Sequence, residues 1–313
     1  MKKILFVVSF CFLPSAFCLL FAQQLSLSNQ YVINKSFLSP AYSGASGGLE
    51  VFGSYRKEWA DVAGAPETKT ISANGTICKN MGIGGSISSQ QAGIFQDLSA
   101  TVNYAYHLKI ATAHQLSFGL GFGLLESRVN LAGNAAQSDP VALNNQDVND
   151  LVLDANFGAL YRFKKLYAGV TIPRMISSKI KSDQDTIIYS LAPHYRNYVG
   201  YTYSINKEWG VDPVAVVSFA ENSPLFYEVA VAVKFQQRIW LSPIYKKSEI
   251  AIGIGGIPYD NFIVNYSYEF ASKGIMGEAG GSHEISIGWR MMQKKKDEPN
   301  PSPKKPYYEW LNK

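Results

Sequence analysis

The sequence predicts an all-β protein, an antiparallel transmembrane β-barrel of the outer membrane with about fourteen strands. Three observations carry this. Stretches of roughly ten residues alternate apolar and polar side chains, and a strand turns successive side chains to opposite faces. These stretches follow an export signal. The connections between them alternate short and long, as the periplasmic turns and external loops of such barrels do.

Taken in order, the chain opens on Lys2 and Lys3, an apolar run over 4–21, and Ala22 before Gln23-Gln24. This is the n-region, h-region and cleavage site of a signal peptide over residues 1–22. Pro14 and Ser15 interrupt the run, which argues against a membrane anchor. Cys11 and Cys18 leave with it, so Cys78 is the one cysteine of the mature chain, which therefore has no internal disulfide. Residues 23–48 do not alternate, and Pro40, Gly44, Gly47 and Gly48 mark an irregular or briefly helical lead-in. It either enters the lumen or lies beneath the barrel.

The barrel is read over 49–292. Strand-like segments run over 49–59, 67–77, 81–89, 97–109, 114–126, 151–163, 166–175, 193–205, 209–220, 225–236, 238–246, 249–257, 261–271 and 283–292. In the last of these, Ile285, Ile287 and Trp289 share one face, and Glu284, Ser286, Gly288 and Arg290 share the other. Near the middle, Leu116, Phe118, Leu120, Phe122 and Leu124 oppose Ser117 and a stripe of Gly119, Gly121 and Gly123. Such a stripe lets another segment approach closely. Glu58, Arg56, Asp154, Arg162, Arg196, Glu228, Lys234, Glu269, Glu284 and Arg290 also fall on polar faces, so the lumen is expected to be cross-braced, at least in part, by ion pairs. Residues 293–313 form a Lys- and Pro-rich periplasmic tail ending in Tyr307-Tyr308-Glu309-Trp310-Leu311. It reads as a disordered end or as a short docking peptide. Both mature termini are expected in the periplasm.

Composition agrees: 47% of residues are hydrophobic and 13% aromatic, with 19 Tyr and 17 Phe, which suits aromatic girdles. A formal charge of +5, partly in the signal peptide and tail, gives no reason to expect a nucleic-acid partner.

Ser39-Pro40-Ala41-Tyr42-Ser43-Gly44 resembles the Asn-Pro-Ala-Tyr-Ala-Gly signature of the PorP/SprF family, outer-membrane proteins of the Bacteroidetes type IX secretion and gliding system. Tyr55-Arg56-Lys57-Glu58-Trp59, with Gly64-Ala65-Pro66-Glu67-Thr68, is similar to its Tyr-Arg-x-Gln-Trp and Gly-Ala-Pro-x-Thr block. Tyr266-Ser267-Tyr268-Glu269-Phe270 and Gly281-Ser282-His283-Glu284-Ile285-Ser286-Ile287-Gly288 resemble its last two strands. Ser39 replaces the usual Asn, and the tail beyond Arg290 exceeds the usual family end. The resemblance implies a barrel that helps a secreted surface protein, one with a C-terminal sorting domain, to reach or stay on the cell surface. It implies other type IX secretion components and outer-membrane lipid as further partners.

Physical roles follow for the signature residues. Pro40 and Gly44 would fix a sharp entry into the barrel. Trp59 would end the first strand at the lipid–water boundary. Trp59, Asp61, Gly64, Ala65, Pro66, Glu67 and Thr68 would shape the first external loop, which either presents a docking surface or simply closes a hairpin. With 127–150 and 272–282, it is a candidate for recognition.

No enzyme, cofactor or metal is expected. Ser282, His283 and Glu284 have the residue types of a nucleophilic relay, but adjacent residues of one strand alternate faces and cannot touch in that way. Gly82-Ile83-Gly84-Gly85 and Gly253-Ile254-Gly255-Gly256 precede no helix and are not phosphate loops. Asn144, Asn145, Asp147, Asn149 and Asp150 offer oxygen ligands without the spacing of a calcium loop, and read as solvated. The alternative to a secretion accessory is a channel for small solutes through the charged lumen.

Overall fold

Alternation on a pleated strand separates an outer face from an inner one, and fourteen such strands close on themselves here. The computed structural model describes residues 27–130, 148–181, 187–220, 223–247, 249–271 and 280–292. The expected signal peptide, the tail and the calcium-like residues Asn144, Asn145 and Asp147 lie outside the described residues.

The strands are β1 (Gly48–Lys57), β2 (Glu67–Cys78), β3 (Met81–Ala92), β4 (Phe95–Ala111), β5 (His114–Val129), β6 (Val148–Phe163) and β7 (Leu166–Ile172). A small hairpin follows, β8 (Lys179–Lys181) and β9 (Ile187–Ser190). The wall resumes with β10 (His194–Tyr201), continued by β11 (Tyr203–Ser204), then β12 (Trp209–Ala220) and β13 (Phe226–Phe235). It ends with β14 (Ile239–Lys246), β15 (Glu249–Gly256), β16 (Phe262–Ala271) and β17 (Ser282–Met292). Each wall strand pairs antiparallel with the next. The seam between β17 and β1 runs in continuous register from Gly48 opposite Met292 to Lys57 opposite His283.

Outside, Phe118, Leu120, Phe122 and Leu124 of β5 and Ile285, Ile287 and Trp289 of β17 are exposed, as are comparable residues around the wall. A continuous apolar belt of this kind would be costly in water and matches hydrocarbon. Inside, Glu50, Arg56, Glu228, Lys234, Glu269, Glu284 and Arg290 are buried.

Several strand ends shift by up to three residues, as in β3, β4 and β7, and three local readings change further. The first strand ends at Lys57 rather than at residue 59. Trp59 sits in the loop beyond the strand, with φ +47°. A second change lies at the long-loop side, where β5 runs to Val129 and β6 starts at Val148. These strands have 16 residues each, against the ~9–11 that cross a bilayer, and so project beyond it. Third, 176–192 contains the β8–β9 hairpin, which alternation could not reveal in strands so short. Ile180 and Leu191 bury against Leu125 and Val129, and the Lys181 N–H donates to Asp150 Oδ2 at 2.9 Å. That side chain, read from sequence as solvated, is partly spent on the hairpin.

Residues 27–47 lie within the wall. Three single 3-10 turns, Asn29–Val32, Lys35–Phe37 and Pro40–Tyr42, are each started by a short polar side chain. Ser28 accepts from the Gln30 N–H at 3.3 Å, Asn34 from Ser36 at 3.2 Å and Ser39 from Ala41 at 3.2 Å. These caps satisfy donors that such a turn leaves open. Tyr31, Leu38, Ala41 and Tyr42 pack against the inward side chains Leu160, Val216, Ala230, Ala232 and Ile244. The inner wall thus carries an apolar patch on β6, β12, β13 and β14 where the segment packs, beside buried charges that include Glu50, Arg56, Lys234, Glu269 and Glu284.

Candidate functional site

The site is the occupied lumen and the rim above it. Because β1 and β17 are paired, Arg56 stands opposite Glu284. Because β16 is next, Glu269 joins them. Arg56 Nη2 reaches Glu269 at 2.5 Å and Nη1 reaches Glu284 at 3.2 Å, while Nε contacts Glu58 at 3.0 Å. Lys246 also pairs with Glu269. Ion pairs Lys234–Asp212 and Arg290–Glu50 brace other parts of the wall. The expected cross-bracing is present.

Glu284 does more than pair with Arg56. Its Oε1 accepts from Ser28 Oγ at 2.7 Å and from the Gln30 N–H at 2.9 Å, and Oε2 accepts from the Asn29 N–H at 3.0 Å. Asn29 Nδ2 donates to Ser267 Oγ at 3.1 Å and Glu269 Oε1 at 3.3 Å. A carboxylate meeting the open amides of a turn is a charge-assisted contact, stronger than a neutral hydrogen bond. Glu284 and Glu269 thus hold the start of the inner segment.

Glycines receive its other end. A Cβ on Gly119 would collide with the Pro40–Ala41 backbone, and one on Gly158 with Ser39 Oγ. One on Gly82 would collide with Ser43 O. Gly44, at φ +69°, sits where its own Cβ would be 2.6 Å from Gly82 Cα. The positive φ and the close approach both require glycine. Pro40 and Gly44, read as a sharp entry, are contact points of the inner segment, Pro40 against Gly119 and Gly158 and Gly44 against Gly82 near the short turn between β2 and β3. Asn74 Oδ1 accepts from the Gly44 N–H at 3.2 Å, Thr76 Oγ1 donates to Gly44 O at 2.7 Å, and His107 Nε2 lies 2.9 Å from Ser43 O. Tyr42 meets Tyr167 and Tyr198 at ring-centroid distances of 6.4 and 6.0 Å. A cavity of about 240 Å³ remains beside the segment, lined by Ser72, Asn74, Ser86, Thr101, Asn103 and Asn156 among others.

The loop between β1 and β2 is fixed from both sides. Trp59 N–H donates to Ser282 Oγ at 3.3 Å, and Ala60 N–H to Gly281 O at 3.0 Å. Gly64, at φ +73°, gives its carbonyl to the Gly93 N–H at 2.9 Å. Asp61 is exposed and Ala65 buried, and the Pro66 carbonyl accepts from the Glu58 N–H at 2.9 Å. Glu67 faces Lys57 across the strand pair at 3.7 Å, and Thr68 stands opposite Arg56. Tyr55 turns outward. His283 turns outward to Tyr266 Oη at 2.7 Å, while Ser282 and Glu284 are buried.

The signature blocks at 55–68 and 281–284 therefore meet at one rim, and the 39–44 block lies in the lumen below. Ser28, Asn29, Asn74, His107, Gly82 and Gly158 were not singled out by sequence reasoning as site residues. The polar cap before each turn and the inward glycines were the available signals. Their partners lie across the lumen, where no periodicity reports.

Among solved structures, the fold is similar to the CymD monoaromatic hydrocarbon channel, with 8% identity and a TM-score of 0.49 over 86% of this chain and 94% of that one. The TodX deltaS2S3 mutant monoaromatic hydrocarbon channel gives 9%, 0.47, 85% and 94%. The Ralstonia pickettii toluene transporter TbuX gives 8%, 0.44, 78% and 88%. No curated protein matches the chain. The family model for the type IX secretion system membrane protein PorP/SprF matches residues 20–289, which include nearly the whole barrel and its inner segment, and the chain belongs to that family.

Proposed function

We propose that this outer-membrane barrel is a non-enzymatic accessory of type IX secretion that binds a secreted surface protein and supports its export or anchoring. The partner would be a protein with a C-terminal sorting domain, met at the rim formed by the first and last external loops. The observation that carries this reading is the lumen. Its own chain occupies it, held by Glu284 at one end and by Gly82 and Gly119 at the other. A wall filled in this way supports a scaffold rather than a conduit. Family membership supports the secretion context and contact with other components of that system.

The test is mass spectrometry of what co-purifies with the tagged barrel from mild detergent extracts of its native outer membrane. A large surface protein in near-stoichiometric amount is the expected result. Recovery of the barrel alone from cells making secreted adhesins, with steady conductance in planar bilayers, would replace this reading with a solute channel.

Gly64→Val separates the rim from the wall. A β-branched residue is strained at φ +73°, so the loop must change shape, whereas β1 and β2 keep their register. Recovery of the secreted partner is expected to fall several-fold, with the unfolding temperature of the barrel within a few degrees of wild type. Unchanged recovery would remove this loop from the interface.

A further inference from the structure

The inner segment has a direction. Near its start, Ser28, Asn29 and Gln30 contact Glu284 and Glu269, the two carboxylates that Arg56 pairs with. Arg56 is next to the last residue of β1, and Glu284 is near the start of β17, so these contacts lie at the long-loop mouth. The segment leaves at the other mouth. Gly44 is held by Asn74 and Thr76 and packs on Gly82, beside the short turn between β2 and β3. Gly48 then starts β1 opposite Met292.

Barrels of the outer membrane place short turns in the periplasm and longer loops outside. The chain therefore enters its own lumen from the cell-surface side. Covalent reach prevents a return. If processing follows Ala22, four residues precede Leu27, and they span at most about 14 Å. From Glu284 to the periplasmic end of β17 at Met292 is roughly 27 Å along the strand. With a strand tilt of ~35–45°, that is about 20 Å across the membrane. The route is also filled, by Tyr31, Leu38 and Tyr42 among buried wall residues.

We infer that the amino-terminal end of the processed chain lies at the cell-surface mouth, within the rim that the secreted partner meets, while the chain beyond Met292 leaves into the periplasm. This replaces the expectation that both mature ends are periplasmic. The part concerning the partner rests on the proposed function; the threading does not. A chain with one end on each side connects the two compartments covalently.

The experiment inserts an epitope between Gln24 and Leu25, and a second epitope in the tail between Pro303 and Lys304. Folding is confirmed by heat-modifiable migration of the barrel. Antibody is expected to label the first epitope on intact cells and the second only after permeabilisation, each with at least about a ten-fold contrast. Should the first insertion fail to fold, Gln24→Cys in a Cys78→Ser background is treated with a membrane-impermeant maleimide, and labelling of intact cells is again expected. Labelling of the amino-terminal site only after permeabilisation overturns the threading with either probe. Surface labelling without a recovered secreted protein would sink the anchoring reading and leave the threading in place. Periplasmic labelling with a recovered partner would do the reverse.

Discussion

Glu284→Ala is expected to release the start of the inner segment and to open the lumen to ions. The carboxylate accepts from Ser28, Asn29, Gln30 and Arg56, and it is buried. Its removal leaves three polar donors and one face of a buried guanidinium without that acceptor. Breaking a buried ion pair by deleting one partner costs about 3–5 kcal/mol. A value near the lower end is expected, about 3 kcal/mol, because Arg56 keeps Glu269 and Glu58. Glu284→Gln keeps the shape but turns one acceptor into a donor facing other donors, so it should lose a smaller part. The unfolding temperature of the barrel in detergent and single-channel conductance in planar bilayers are the two readings. An Ala variant as stable and as closed as wild type would show that the segment is held elsewhere.

The second large effect is expected at Gly119. A valine there must place its Cβ on the Pro40–Ala41 backbone, and a proline-stiffened turn cannot move aside by a few tenths of an ångström. The outward face of β5 is unchanged, so the wall should still assemble and show heat-modifiable migration. The inner segment should be displaced and a steady conductance should appear. Gly53→Val is the control, since a Cβ at Gly53 meets nothing within 4 Å. Closed behaviour of the Gly119 variant, equal to that of Gly53→Val, would mean that the close contact can relax without moving the segment.

These two residues also show how far the sequence could be read. Glu284 and Gly119 both stand on faces that alternation assigns without ambiguity, because a two-residue period allows only two choices. The same rule placed Ile285, Ile287 and Trp289 outside and Arg56 and Glu269 inside. It could not say that Arg56, Glu269 and Glu284 touch, because contact between strands depends on register, which the β17–β1 seam sets only on closure. The end of the first strand was read two residues late for a local reason. An apolar residue two positions beyond Lys57 continues the alternation, and only the positive φ shows that the chain has already turned.

Sequence by itself determined the class of the protein: strands with one greasy face and one wet face, joined by short connections at one end and mostly longer ones at the other, match a closed wall in lipid. It also determined the family, through short blocks whose order survives. Only the tertiary structure decided what fills the wall. Residues 27–47 have no period from which to read a face, and their partners include inward glycines, an asparagine and carboxylates from 30 to 256 positions away. Close approach and buried charge pairing are properties of atoms across the lumen, so they exist only once the barrel has closed.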